Sequence, residues 1–337
     1  MEIPWKRSTE IMDEVKVIVD GIKPSDIYQG SLGDCYFLSS ISALAEHPSR
    51  VERLLISKEA NEKGCYAVAL NVCGDYRMVI VDDNFPLHYS RHQMIFCHSA
   101  SAELWAMLLE KAYAKVFGGY WNIGTGGFAE DALKDLTGAP SEYDQLADDT
   151  DTEELWNKLY FCDQNEYIIV CGSMGSGEKK NEVGIILGHA YTIISCQIIK
   201  GERVLEMRNP WGDHNEWNGR WSDEDDSTWT PELREKYDMV NPEGDGRFFM
   251  PYDEFLNYFD QISYCFYEDN YTLSSFTDEL QIDFLACYKI EITQPGMYYV
   301  SLSQPDTRGF EVTPDGEGKE RVFKIKTFWI LAVFSPY

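Results

Sequence analysis

The most constraining feature of this sequence is a short loop that delivers a cysteine to the start of an apolar segment. The loop runs from Gln29 to Asp34, contains two glycines and leads directly into Cys35. Residues 36–45 that follow are rich in apolar side chains and predict a buried helix. Unpaired backbone N–H groups and the positive end of the helix dipole stabilise a thiolate at such a position. Cys35 is therefore a candidate nucleophile, although a free cysteine is more often a small core residue.

Two later segments carry the partners that a thiol nucleophile needs. Residues 183–194 form an apolar, β-branched run that predicts a buried strand, and within it His189 follows a glycine. An imidazole there can pair with a thiolate and later protonate a leaving amine. Residues 204–212 predict a second strand that ends in Asn-Pro-Trp-Gly. The carbonyl oxygen of Asn209 can accept the second imidazole N–H, and Trp211 can shield that bond from water.

The order and spacing of these three residues strengthen the catalytic interpretation. His189 lies 154 residues after Cys35, and Asn209 lies 20 residues after His189. Papain-like proteases have the same order, with both partners about 130–150 residues downstream. Taken alone, the histidine would more often be a satisfied core residue, and Asn-Pro is an ordinary turn signal. The combination indicates nucleophilic catalysis.

These motifs resemble the three active-site motifs of the calpains, which are intracellular, calcium-regulated cysteine proteases. The matching motifs are residues 29–35, 188–191 and 208–212. Further matches occur at residues 5–7, 104–115, 216–223 and 248–250. The resemblance covers about residues 5–268, whereas residues 270–337 match only loosely.

The resemblance implies an α+β fold with a papain-like, two-lobed calpain protease core and a small all-β segment after it. We expect a helix-rich first lobe at residues 1–138 and a β-rich second lobe at 139–269, because a Thr-Gly-Ala-Pro breaker lies between them. The cleft between the lobes would place Cys35 opposite the histidine and the asparagine. Residues 270–337 predict a β-sandwich-like segment that is short for a complete C2-like domain.

Local patterns predict the main elements of the two lobes. Strands are expected at residues 65–72, 76–81, 167–171, 184–196 and 203–208, and helices at 104–116 and 129–136. Residues 150–153 carry a capping-box pattern that predicts the start of another helix. Residues 118–127 are rich in glycine and predict a loop.

Composition limits the partners of the chain. Its formal net charge is −28, from 57 acidic and 29 basic residues. This charge disfavours nucleic acid and anionic membranes as partners and favours cation binding at clustered carboxylates, whereas protein substrates are what the family resemblance implies. Contact of the C-terminal segment with a membrane has no support in the sequence. The nine cysteines lack CxxC spacing and no signal-like apolar segment occurs at the start, so we expect reduced thiols in a cytoplasmic protein.

A tetrahedral intermediate needs hydrogen-bond donors aimed at its oxygen. The side-chain amide of Gln29 and the backbone N–H of Cys35 are the natural pair, because Gln29 lies on the loop that must fold over the site. The family resemblance implies the same role for this glutamine. Asp34 matches an aspartate of the family motif, and we expect it to be structural.

The resemblance also implies a calcium site in each lobe. In the first lobe, Val19 and Gly21 match positions that give backbone carbonyls, and Asp26 matches a carboxylate ligand. The family uses a further glutamate in the glycine-rich loop, where this chain has Trp121 and Asn122. Since Ca²⁺ takes six to eight oxygen ligands, the loss of a carboxylate should weaken this site.

The second predicted calcium site has a comparable substitution. Glu216, Asp223 and Asp245 match liganding carboxylates, and Glu243 falls where the family uses a backbone carbonyl. Arg247 replaces the remaining glutamate, which puts a cation where an anion is expected. Its guanidinium group could serve as an internal substitute for the metal.

Two other metal patterns carry less weight. His88 and His92 are four residues apart, with Cys97 and His98 close behind, and such residues can bind zinc. A nearby proline and polar neighbours favour a loop without metal. Residues 222–226 are acidic but lack the alternating ligands and central glycine of an EF-hand loop.

The sequence therefore predicts an intracellular, calcium-dependent cysteine endopeptidase that makes limited cuts in proteins. A calpain-like regulatory or binding scaffold with weak or no hydrolysis is the alternative, because ligands at both calcium positions are altered. A cysteine-dependent acyl transferase would use the same Cys-His chemistry and is disfavoured only by the family motifs.

Overall fold

A computed structural model describes residues 3–89, 93–99, 101–212, 215–239, 245–275, 290–292, 296 and 298–301. The helices in these ranges are α1 (Ser8–Ile11), α2 (Cys35–Ala45), α3 (Pro48–Glu52), α4 (Trp105–Val116), α5 (Tyr120–Ile123), α6 (Ala129–Thr137), α7 (Thr152–Gln164), α8 (Pro231–Lys236) and α9 (Tyr252–Tyr258). The strands are β1 (Trp5–Arg7), β2 (Cys65–Val72), β3 (Asp75–Asp82), β4 (Asn84–Pro86), β5 (Ser141–Gln145), β6 (Ile168–Ser173), β7 (Ala190–Ile199), β8 (Glu202–Arg208), β9 (Arg247–Pro251) and β10 (Phe259–Cys265). The α+β fold class predicted from the sequence is confirmed.

Helix α2 is the centre of the first hydrophobic core. All ten residues from Tyr36 to Ala45 are buried, so the helix is covered on every side. Its serines keep their hydroxyl groups satisfied: Ser40 Oγ donates to the Tyr36 carbonyl at 2.7 Å. Helices α4 and α6 and the β2–β3 hairpin pack into the same core. The nucleophile candidate thus begins an element that the core holds rigidly.

The second core lies on a six-stranded sheet with the strand order β5-β10-β6-β7-β8-β9. All of its neighbouring strands run antiparallel. Helices α7 and α9 contribute apolar side chains to this core, including Trp156, Leu159 and Phe255. Burial of large apolar side chains is the main source of stability for such a layer.

Helix α2 packs directly against the sheet, and polar contacts set its position on β7. Ser39 Oγ donates to the Ala190 carbonyl at 2.8 Å, and Thr192 Oγ1 donates to the Ser39 carbonyl at 3.0 Å. From β8, Arg208 donates to Ser42 Oγ at 3.1 Å. Because these bonds are buried, they fix the register between the helix and the strand that follows His189.

Most predicted elements occur close to their expected bounds, and two patterns were wrong in part. The apolar run at residues 183–194 becomes a strand only from Ala190 onward, because Gly184 and Gly188 have φ values of +93° and +64° that interrupt an extended backbone. The glycine-rich loop predicted at 118–127 contains the short helix α5. Gly119, with φ +149°, provides the sharp entry to that turn.

The predicted division into residues 1–138, 139–269 and 270–337 stays a prediction. The β-sandwich-like segment lies largely outside the described residues. The few described residues after 270 are assigned to no helix or strand. None of the described helices has the length and apolar character needed to cross a membrane.

Candidate active site

Cys35 is the first residue of α2 and is half-buried. The carbonyl of Asp34 caps the turn by accepting the N–H groups of Phe37 and Leu38 at 2.9 and 3.1 Å. The thiol therefore lies beside the N-terminus of an eleven-residue helix, where the dipole favours negative charge. This placement agrees with the sequence prediction for the cysteine.

The loop before Cys35 requires its two glycines. A Cβ atom on Gly30 would overlap the carbonyl oxygens of Ile95 and Phe96, and one on Gly33 would lie 2.7 Å from the Gly124 carbonyl oxygen. The loop is also tied across the cleft, because the Gln29 N–H donates to the Pro210 carbonyl at 3.3 Å. Close backbone approach, rather than flexibility, is thus the reason for glycine here.

His189 immediately precedes β7, and the residue is only 2% exposed. Ser173 at the end of β6 holds its backbone: the His189 N–H donates to Ser173 Oγ at 3.0 Å, and the Ser173 N–H donates to the His189 carbonyl at 2.9 Å. Gly188 allows this approach, since a Cβ atom there would lie 2.7 Å from the Cα of Ser176. The imidazole is consequently positioned by main-chain contacts on both sides.

The side chain of Asn209 orients the imidazole through a hydrogen bond of 2.9 Å between His189 Nε2 and Asn209 Oδ1. The amide orientation is fixed by two further bonds: Oδ1 accepts the Trp211 N–H at 3.1 Å, and Nδ2 donates to the Asn215 carbonyl at 3.0 Å. With an oxygen facing it, His189 Nε2 must be the donor. The Trp211 ring lies 4.9 Å from the imidazole centroid to centroid, as expected for a group that covers this bond.

The other imidazole nitrogen faces Cys35 and a residue that the sequence reasoning missed, Glu178. The sulfur, His189 Nδ1 and a Glu178 carboxylate oxygen all lie within 4.8 Å of one another, and the separation between Nδ1 and the carboxylate is 3.6 Å. Glu178 lies on the loop between β6 and β7, eleven residues before the histidine, and no sequence pattern connects the two residues.

The surroundings favour a protonated imidazole. Burial by itself would lower the pKa of His189, but hydrogen bonds with Cys35 and Glu178, the charge of the thiolate and the bond to Asn209 outweigh it and raise the pKa to about 9. A histidine in this state carries a proton at neutral pH. The site can therefore hold a thiolate–imidazolium pair.

Gln29 lies on the loop that closes over the site. Its Nε2 donates to the Leu32 carbonyl at 2.7 Å, which ties the side chain to its own loop. A primary amide has a second N–H, so this bond leaves a donor for another acceptor. Its assignment to an oxyanion hole stays a prediction.

Behind the nucleophile lies a buried pair of carboxyl groups, Asp34 and Glu110. Both residues are at most 1% exposed. Burial raises the pKa of Asp34 to about 7, and burial together with the charge of Asp34 raises the pKa of Glu110 well above its usual range. Glu110 also accepts the Cys97 N–H at 3.0 Å. Protonation of this pair limits negative charge near the thiol, which fits a structural role for Asp34.

At the first predicted calcium position, the structure adds a carboxylate that the sequence reasoning did not use. Glu103 is buried and accepts the Val19 N–H at 2.9 Å. Burial and then the charge of Glu103 raise the pKa of Asp26 to about 6, so the two carboxyl groups are close neighbours. Gly21, which lies between Val19 and Asp26 along the chain, adopts φ +90°.

The substituted positions in the glycine-rich loop do not replace the missing ligand. Trp121 is 82% exposed, and Asn122 Nδ2 donates to the Phe117 carbonyl at 2.6 Å. Neither residue supplies a carboxylate.

At the second predicted position, Glu216, Asp223 and Asp245 influence one another. Burial, followed by the charges of Asp223 and Asp245, raises the pKa of Glu216 to about 8. Burial and the charge of Asp245 likewise raise the pKa of Asp223 to about 6. Glu243 lies outside the described residues. Within the described ranges, only Cys35, Glu178 and His189 bring three ligand atoms within 4.8 Å.

Arg247 does not insert its guanidinium among those carboxylates. Its Nε donates to Glu206 Oε1 at 2.6 Å, and its terminal nitrogens donate to the carbonyls of Tyr237 and Asp238 at 2.9 and 3.2 Å. Among the described ion pairs, Glu206 is its acidic partner. The guanidinium therefore acts on the acidic cluster through its field rather than by direct pairing.

The zinc pattern at residues 88–98 is incomplete in the described chain, because His92 lies outside it. Cys97 is buried in the first core. The His98 ring stacks on Tyr28 with the ring centroids 5.8 Å apart. These contacts favour a packing role for both residues.

Sequence comparison with known proteins agrees with a cysteine-protease site. The family model described as calpain family cysteine protease matches residues 1–266. Calpain-type cysteine protease ADL1 of Oryza sativa subsp. japonica is 35% identical over 273 residues, which is 77% of this chain and 12% of the relative. Calpain clp-1 of Caenorhabditis elegans is 32% identical over 275 residues, 78% of this chain and 35% of the relative.

The human calpain-2 catalytic subunit is 31% identical over 275 residues, 78% of this chain and 38% of the relative. The chain thus spans between 12% and 38% of the length of these three curated relatives. The aligned part of each relative is a minor portion of a longer protein.

Proposed function

The chain belongs to the calpain family of cysteine proteases, and from this premise we propose that it is a cysteine endopeptidase acting through Cys35, His189 and Asn209. The observation that carries the proposal is the 2.9 Å hydrogen bond between His189 Nε2 and Asn209 Oδ1, with the Cys35 sulfur on the opposite side of the ring. This arrangement is the one in which an imidazole can exchange a proton with both a thiol and a leaving group. Protein substrates follow from the protease family.

The chemistry begins with transfer of the Cys35 thiol proton to His189 Nδ1. The thiolate attacks the scissile carbonyl carbon, and the resulting oxyanion accepts hydrogen bonds from the Cys35 backbone N–H and the Gln29 amide. The imidazolium then protonates the departing amine, which leaves a thioester on Cys35. Water, deprotonated by His189, cleaves the thioester and restores the thiol.

We also propose that calcium regulates this activity. Val19, Gly21 and Asp26 would hold one ion, and Glu216, Asp223 and Asp245 would hold another, with Glu243 as a further donor. The raised pKa values of Glu216 and Asp223, each caused by burial and by a neighbouring carboxylate, support the second set, because closely spaced carboxyl groups gain from a bound cation. A bound ion would neutralise this charge and order the chain segments around it, and it takes no part in the covalent steps.

A cytoplasmic setting completes the proposal. Eight cysteines in the described part of the chain are free, and Cys35 must stay reduced to act as a nucleophile.

Hydrolysis of a fluorogenic peptide and of casein, with and without calcium, tests the proposal. The Cys35→Ala variant should lose activity by about 10⁴-fold or more, because no other group can form the thioester. Cys65→Ala, which removes an exposed cysteine at the start of β2, is the matched control and should keep full activity.

The outcomes separate the parts of the proposal. Activity that depends on Cys35 and rises with calcium supports both parts. Activity that depends on Cys35 and ignores calcium removes the regulatory part. Absence of hydrolysis under all conditions contradicts the endopeptidase and favours a binding scaffold.

A further inference from the structure

We propose that Cys35, His189 and Glu178 form a binding site for a zinc-like transition-metal ion that blocks the nucleophile. The site uses the sulfur, the imidazole Nδ1 and the Glu178 carboxylate as its three protein ligands. The inference goes beyond proteolysis, since metal binding needs the geometry of these groups and not their turnover of a substrate.

The distances between the three donor atoms fit a tetrahedral ion after small side-chain movements. Zinc binds sulfur, nitrogen and oxygen ligands at about 2.0–2.3 Å, so two ligand atoms of a tetrahedral site lie roughly 3.5 Å apart. His189 Nδ1 and the Glu178 carboxylate are already 3.6 Å apart. All three donor atoms lie within 4.8 Å of one another. Rotation of the partly exposed Glu178 side chain can shorten the longer separations to the roughly 3.5 Å that a tetrahedral ion requires.

His189 is preorganised as a metal ligand. Its ring is fully enclosed, and its Nδ1 faces the Cys35 sulfur and the Glu178 carboxylate, the two other donors of the proposed site. Its Nε2–H is held by Asn209, whose amide is fixed by Trp211 and Asn215. A second ring nitrogen that donates to a protein oxygen is the usual support of a zinc-bound histidine.

The donor set selects the class of metal. A thiolate, an imidazole and a carboxylate suit zinc and related transition metals, whereas calcium requires an oxygen-only shell. Glu178 is 39% exposed and Cys35 is half-buried, so an ion can enter from the cleft and keep water as its fourth ligand. The proton on Nδ1 is released to solvent when the ion binds, and no oxidant or reductant is required.

Metal binding at this position would occupy both reactive lone pairs. The sulfur could not attack a carbonyl carbon, and Nδ1 could not exchange a proton. Glu178 would simultaneously be held at the cleft. A bound ion would therefore inhibit the nucleophile reversibly. Glu178 supplies the third protein ligand, in addition to the cysteine and the histidine.

Zinc titration of the whole chain by calorimetry under reducing, chelator-free conditions tests the site. The Glu178→Gln variant keeps the size of the side chain and removes the charge, and it should bind zinc about 10- to 100-fold more weakly. Cys35→Ala should lose this binding event. Glu182→Gln, a change at an exposed position on the same loop, should bind as the unmodified chain does.

Cobalt(II) gives an independent readout, because a thiolate ligand produces a charge-transfer absorption band. The band should appear with the unmodified chain, vanish in Cys35→Ala and weaken in Glu178→Gln. Glu178→Asp retains a carboxylate and should recover part of the affinity, which separates loss of a ligand from loss of folding. Circular dichroism of each variant checks the fold directly.

Equal zinc affinity in Glu178→Gln and the unmodified chain would overturn the proposal, as would a cobalt band that survives Cys35→Ala. Zinc inhibition of peptide hydrolysis should follow the same order of variants. A chain that binds zinc but cleaves no peptide contradicts the proposed protease and retains this site. A chain that cleaves peptide and is unaffected by zinc supports the proposed protease and contradicts the metal site.

Discussion

The candidate active site and the acidic cluster of Glu216, Asp223 and Asp245 differ in how their buried polar groups are stabilised. In the cleft, Asn209 and the backbone of His189 have defined hydrogen-bond partners, so the imidazole is held before any ligand arrives. In the cluster, burial and the charge of Asp223 raise the pKa of Glu216, burial and the charge of Asp245 raise the pKa of Asp223, and Arg247 pairs with Glu206 instead. The side chains of the first region are therefore preorganised, whereas the second region holds closely spaced carboxyl groups that a bound cation would stabilise.

The largest expected effect concerns the proton carrier of the preorganised region. His189→Gln should reduce kcat/KM for a peptide substrate by about 10³-fold or more, because the thiol loses its proton acceptor and the amine its proton donor. Steady-state hydrolysis measures the loss. His47→Gln, at a half-buried histidine outside the candidate active site, should change little, and an equal loss in both variants would mean that His189 has no special role.

The orienting residue should have a smaller effect. Asn209→Ala removes the oxygen that holds His189 Nε2, and we expect kcat to fall by about 100-fold while KM changes little, since misorientation of the base affects the chemical step. Asn218→Ala is the matched control, because Asn218 is exposed and its side-chain amide donates to the Glu182 carbonyl in a loop. A dominant change in KM would indicate that Asn209 shapes the cleft instead.

The buried pair behind the cleft predicts a pH-dependent stability. The folded state raises the pKa of Asp34 from 3.8 to about 7, so its contribution is fully present below pH 4 and is lost as the pH rises through 7. The Asp34→Asn variant cannot ionise at this position, so it does not lose this stability. Between pH 4 and 7, the free energy of unfolding of the unmodified chain should therefore fall relative to that of the variant, by at most about 4 kcal/mol.

Urea denaturation at several pH values measures this difference. Asp148→Asn at an exposed position should show no comparable trend. If the stability difference between Asp34→Asn and the unmodified chain is independent of pH, Asp34 titrates as it does in the unfolded state and the buried pair is not charged differently on folding.

The smallest expected effect sharpens the contrast with the acidic cluster. Arg247→Glu replaces a cation by the carboxylate that the family pattern predicts, and calcium affinity should increase by about tenfold or more. Calorimetry measures the affinity, and Arg247→Ala separates loss of the positive charge from gain of a ligand. Unchanged affinity in both variants would show that this cluster is not a calcium site.

Sequence patterns were sufficient wherever the signal was local. The loop glycines, the cysteine at the start of α2 and the ends of β2 and α6 follow from residue types that restrict backbone geometry. The pattern around His189 was less informative, because an apolar run cannot show that Gly184 and Gly188 turn the chain before β7 begins.

Three acidic side chains escaped prediction for one reason. Glu103 acts on Asp26, 77 residues away, and Glu110 acts on Asp34, 76 residues away. Glu178 contacts His189, 11 residues away. The sequence spacing of these pairs does not predict that they are in contact. Only the packing of α4 beneath the loop and the path of the β6–β7 loop over the cleft brings them together.

The sequence by itself determined the chemistry that is available: a cysteine at a helix N-terminus, a histidine and an asparagine in papain-like order, and a calpain-type framework with altered acidic positions. Tertiary structure decided the charge state and the surroundings of those groups. Burial and neighbouring charge set the pKa values of Asp34, His189 and Glu216. The physical reason is that electrostatic energy depends on distance and solvent access, which a linear order of residues does not contain.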